Sequence, residues 1–77
     1  MTFEAAKQVH GLLIAASRSL DESVAVVARE GQDDDLREYR LVVARVLASI
    51  LDELLLPIYR AHDELIPTEL DRSVLPL

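Results

Sequence analysis

The side chains able to do chemistry gather near one end of this sequence. Leu54 to Pro67 reads LLLPIYRAHDELIP and holds Tyr59, Arg60, one of the two histidines (His62), Asp63 and Glu64. His10, Arg40 and the acid run Asp33-Asp34-Asp35 are the remaining candidates. Histidine with carboxylates suggests a metal or an acid–base site, and an inward arginine suggests bidentate capture of a carboxylate. Each possibility depends on spacing.

A carboxylate-bridged di-metal centre in a helical bundle needs Glu-x-x-His on one helix face. The positions three and four from His10 are Ala6, Lys7, Leu13 and Ile14, and those around His62 are Ile58, Tyr59, Leu65 and Ile66. Neither histidine has a carboxylate where that chemistry requires it. His62, Asp63 and Glu64 are consecutive, so on a helix they point about 100° apart and do not converge. A calcium loop needs alternating oxygen ligands ending in Glu, an order that DDDLRE does not supply. The expectation is no metal, no cofactor and no catalytic residue.

His62 has a structural role available, as a side chain near a helix C-terminus facing unpaired carbonyls. Arg40 falls within the apolar arc of its helix, where its stem can pack while the head reaches water or an acid. Arg40, Tyr59 and His62 together are kept as the alternative, a small enzyme or ligand-binding pocket at the end of a bundle. No Ser/His/Asp arrangement is legible, and two glycines provide no phosphate-cradling loop.

The elements that would carry these residues follow from periodicity. Thr2 is placed to cap a first helix, with Glu4 near its N-terminal dipole. Val9, Leu12 and Leu13, Ala16, Leu20, Val24 and Val27 recur at steps of three and four, so a helix is expected over about residues 3–30. Arg29 suits its last turn, and Gly31 is a natural residue just beyond. Gly11, inside this helix, costs about 1 kcal/mol against Ala and would permit a close helix approach. A turn over 31–34 leads to a second helix over about 35–65, started by a capping box from Asp35 to Glu38, with Asp33 or Asp34 as other caps.

Pro57 predicts a kink, because its ring clashes with the carbonyl of Glu53 and removes one hydrogen bond. Leu54, Ile58, Ala61 and Leu65 keep one phase through it, while Leu56 falls on the polar arc. Residues 66–77 form a short turn or tail, and the spacing of Leu70, Val74 and Leu77 suggests that it lies back on the helices.

Two helices joined by a short turn make an antiparallel hairpin. With levels pairing to a sum near 65, His62 falls beside Phe3 and His10 beside Leu55, about 10 Å apart along the axis. The second helix carries two apolar stripes where one partner needs one. The surplus stripe is Leu41, Ala44, Ala48, Leu51 and Leu55. Leaving such leucines wet would forfeit about 1.5–3 kcal/mol each, so a homodimer is expected through that stripe, as a two-fold four-helix bundle. Another protein is the alternative partner.

Composition agrees with an all-α domain in need of support. Seventy-seven residues form one domain near the lower size limit, and 51% hydrophobic content argues against disorder. No cysteine is present, so disulfides cannot help. A net charge of −6 with a pI near 4.7 opposes nucleic acid and anionic membrane as partners. No run approaches the roughly 20 apolar residues of a membrane span, and VHGLLIAAS lacks the charged leader of a signal peptide. A cytoplasmic location is expected.

The stretch PIYRAHDELIPTEL, Pro57 to Leu70, resembles the endings of small bacterial α-helical proteins that place Ile-Tyr-x-x-His between prolines. That resemblance implies a helical fold and no assigned activity. The overall expectation is a non-enzymatic, homodimeric interaction or regulatory module.

Overall fold

The computed structural model describes residues 1–68. It is all-helical, with two long helical arms and no strand among the described residues. Helix α1 spans Phe3–Glu30. Thr2 sits in the extended region and its Oγ1 accepts from the Ala5 N–H at 3.1 Å, satisfying one of the donors left open at the helix start. Glu4 in the first turn and Arg29 in the last complement the helix dipole.

Gly31 ends α1, but not through the left-handed conformation usual for glycine after a helix. Its φ is −99° and its ψ −176°, and its N–H donates to the Val27 carbonyl at 2.7 Å. A Cβ on Gly31 would lie 2.8 Å from that same oxygen. Glycine is therefore needed for proximity and not for a positive φ. Gly11 shows the opposite situation, since a Cβ there would meet nothing within 4 Å. Close helix approach does not explain it.

Helix α2 spans Asp33–Ser49, so Gly31 and Gln32 alone separate the arms. The cap is Gln32, whose carbonyl accepts the first helical bond from the Leu36 N–H at 2.9 Å. The expected capping role of Asp35, or of Asp33 or Asp34, is not observed. All three carboxylates fall inside the first turn, where they act on the dipole and not as caps.

Beyond Ser49 the arm does not simply kink. Ile50–Leu55 form a π-helical turn, in which the Leu56 N–H reaches the Leu51 carbonyl, and a six-residue helix α3 follows over Leu56–Ala61. Pro57 occupies the first turn of α3, where a missing N–H is tolerated. Widening the preceding turn removes the clash that a regular helix would create at the Glu53 carbonyl.

The π turn places one extra residue in the arm and changes the phase downstream. Leu56, on the polar arc of a continuous helix, is only 3% exposed, whereas Leu54 is 50% exposed. The single phase expected through Leu54, Ile58, Ala61 and Leu65 is thus broken. Ile58 is buried, Leu65 half-buried and Ala61 exposed.

Helix α3 stops at Ala61, short of the expected end near residue 65. His62 leaves the helical region at φ −138°, ψ 75°, and a 3-10 turn over Asp63–Leu65 reverses the chain. Ile66 is extended, as a residue before proline favours. The reversal carries Leu65 and Ile66 onto a cluster of Leu55, Leu56 and Tyr59, joined by Leu13, Ile14, Ile50 and Leu51. The core therefore sits at the end away from the Gly31 turn. Helix α2 itself buries only Val43 and α1 only Ala6. The expected return of Leu70, Val74 and Leu77 lies outside the described residues.

Candidate functional site

Tyr59 is the centre of this core and is 1% exposed. Its hydroxyl lies 2.9 Å from His10 Nε2, and the two rings meet edge to face, with centroids 5.4 Å apart at 62°. A buried tyrosine needs a partner for its polar tip. The imidazole across the hairpin supplies one, accepting the phenol proton in one tautomer or donating in the other. Burial raises the Tyr59 pKa above a free tyrosine's value, so the phenol stays protonated. A neutral phenol held against an imidazole and surrounded by leucines is an anchor for the fold, not a base.

His62 is used in the same way. Its ring packs edge to face on Phe3, with centroids 5.8 Å apart, the pairing that the level rule anticipates. His10 faces Tyr59 where the same rule gives Leu55, four positions along. Both histidines are thus occupied by different aromatic partners. Among the described residues, no three His, Asp or Glu side chains gather as a metal site would require.

Arg40 does not join Tyr59 and His62. It is exposed and shares a groove with Asp21, Val24, Val43, Ala44 and Leu47, while a second hollow beside it is lined by Asp33, Leu36, Arg37 and Leu41. On α1 its neighbour Asp21 is eleven residues from His10, the partner of Tyr59, which is about 16 Å of helix. The three residues therefore belong to separate places, and no common pocket forms from them.

The expected dimer stripe is also divided. Leu41 is 59% exposed, and Ala44 and Ala48 are exposed. Leu55, however, is 6% exposed within the single chain, and Leu51 packs on the same core. Leu65 and Ile66 belong to the same apolar cluster as this end of the stripe. Within the single chain Leu55 is buried and Leu51 half-buried.

Large apolar residues outside that stripe are exposed as well. Leu12 is 71% exposed, Val42 52%, Leu54 50% and Val46 42%. Each immediately precedes an inward-facing residue: Leu13, Val43, Leu55 and Leu47. Successive helical residues turn by about 100°, and in an antiparallel pair the residue before each inward position falls on the same side of both helices. The observed contacts agree: Val27, Tyr39 and Val42 line one groove, while Val24, Arg40 and Ala44 line another. A hydrogen bond of 2.7 Å links Tyr39 to Ser23 on the first of these sides. Ser23 itself donates to the Leu20 carbonyl, so the phenol of Tyr39 is the donor to Ser23.

No protein-family model matches the chain, and neither a curated protein nor a solved structure shows significant similarity to it. No helix among the described residues is long and apolar enough to cross a membrane.

Proposed function

We propose that this protein is a non-enzymatic interaction or regulatory module that acts as a homodimer, two hairpins associating into a four-helix bundle in the cytoplasm. One observation carries the reading. Among the described residues the hairpin exposes more large apolar side chains than it buries: eight, from Met1 to Leu54, against Val43, Leu55, Leu56, Ile58, Tyr59 and Ile66. Single exposed leucines are ordinary, but apolar surface exceeding the core of a small domain marks an association surface.

The reactive side chains give further support. Tyr59, His10 and His62 spend their polar and aromatic groups on internal packing. Acidic composition without cysteine suits a cytoplasmic protein kept soluble by its charge.

Light scattering or sedimentation at micromolar concentration tests this reading. The expected mass is twice the 8.6 kDa of one chain. A well-folded monomer would refute the dimer.

A further inference from the structure

Resting on the dimer reading, we infer that the second copy docks on the face built from the residues that precede the inward positions. That face carries Leu12 and Ala16 on α1 with Val42, Val46 and Leu54 on the second arm. The Leu41/Ala44/Ala48 side is excluded from the interface.

The two faces differ in charge along α1. On α1 the residues before inward positions include Ala5, Val9, Leu12, Ala16, Ser19 and Ser23, none of which can ionise. The residues after inward positions include Lys7, Arg18 and Asp21, and their counterparts on α2 are Arg37 and Arg40. On the proposed face α2 contributes charge at the Gly31 end, as Asp35 and Glu38, and then Val42 and Val46. Burying the other face would desolvate a lysine and three arginines against one aspartate. Burying this one leaves the α1 flank without a charge to desolvate, and Arg45, three residues from Val42, and Glu53, next to Leu54, stand on the second arm at its rim.

Coverage and size agree. Leu65 and Ile66 already share one apolar cluster with Ile14, Leu51 and Leu56, each of which follows an inward position. Nothing among the described residues does the same for Leu12, Val42, Val46 or Leu54. From Thr2 to Val27 the uncharged flank of α1 runs about 38 Å, and two helices side by side are about 20 Å wide. The face is thus of the order of 750 Å², against about 800 Å² that each partner gives to a stable interface.

A second copy is the occupant this surface fits, because the α1 flank that forms half of it carries no charge that a partner must pair. The orientation follows from the turn. Between Arg29 and Glu38 lie Glu30, Asp33, Asp34, Asp35 and Glu38 against Arg29 and Arg37. Bringing two such ends together would place like charge within a screening length of about 8 Å. The two-fold axis therefore runs across the hairpin, with the Gly31 turns at opposite poles.

The test is a set of single variants of the full chain, each checked by circular dichroism for helix content and sized by light scattering across a dilution series. Val46→Glu is expected to weaken association at least tenfold, and Leu12→Glu, at a site 71% exposed, repeats the test where folding is least at risk. Ala48→Glu is expected to leave the dimer intact. With a dimeric wild type, a dimer that survives both Val46→Glu and Leu12→Glu overturns the face, as does one that Ala48→Glu disrupts. A monomeric wild type overturns the dimer reading itself. Because the chain has no cysteine, Gln32→Cys reports orientation. No intermolecular disulfide is expected under mild oxidation, and efficient cross-linking would overturn the opposed turns.

Discussion

His10 and Tyr59, forty-nine residues apart in the chain, meet through a 2.9 Å hydrogen bond at the centre of the best-packed part of the hairpin. This contact joins α1 to α3 across the bend, so it reports on the whole tertiary arrangement and not on either helix alone. Burial in that core raises the Tyr59 pKa above the usual tyrosine value.

Alkaline pH should expose that burial. An unfolded tyrosine ionises near pH 10, and Tyr59 in the folded chain ionises higher because burial disfavours the phenolate. Above the unfolded value the unfolded state loses its proton first, and folding becomes less favourable. The contribution is whole below about pH 10 and is lost as pH rises through the folded pKa. Urea unfolding midpoints measured upward from neutral pH should fall more steeply for wild type than for Tyr59→Phe. Equal slopes would place Tyr59 in water.

The phase change at the π turn separates two neighbouring leucines. Leu56→Ala removes a side chain from the core and should cost about 2–5 kcal/mol. Leu54→Ala, at a position half-exposed in the single chain, should cost less than about 1 kcal/mol when read at a dilution where the chain is monomeric. Chemical denaturation of the pair decides the point, since an uninterrupted helix through Pro57 would reverse the order.

The two glycines should respond in opposite directions. Gly11→Ala enters open space in a helix interior and should stabilise by about 1 kcal/mol. Gly31→Ala forces a Cβ against the Val27 carbonyl oxygen, and backbone must move to admit it, so a loss of about 1 kcal/mol is expected. Thermal melts of both variants test this, and a stabilised Gly31→Ala would contradict the tight Val27 contact.

Much of the architecture is legible in the residues themselves. Thr2, Arg29 and Gly31 bound α1 because capping and termination depend on local chemistry. The meeting of Phe3 with His62 follows from counting residues on either side of a short turn. What is not legible begins at Ile50. Three consecutive leucines, Leu54 to Leu56, cannot all lie on one stripe, and periodicity alone extends the phase it has already established. Pro57 announces a disturbance without saying whether the chain will bend, break or widen.

The start of α2 is ambiguous for another reason. Asp33, Asp34 and Asp35 are equivalent caps by type, and the chain places its cap one residue before any of them, at Gln32. The candidate pocket shows the same limit at longer range. Arg40 and Tyr59 look close when only residue type is considered, but they lie in different parts of the hairpin. The exposed apolar side is a partial exception, because Leu12, Val42 and Val46 could be recognised once the inward positions are known.

A π turn is one residue more than a regular helix requires. Deleting a single residue within Ile50–Leu55 would leave the flanking arms facing as they do now, whereas the same deletion between Leu36 and Leu47 would rotate every later side chain away from its partner. The arm thus carries a built-in allowance for change in length at one place only. Closing it would return the Pro57 ring to the carbonyl it now avoids, so the surplus residue and the proline hold each other in the sequence.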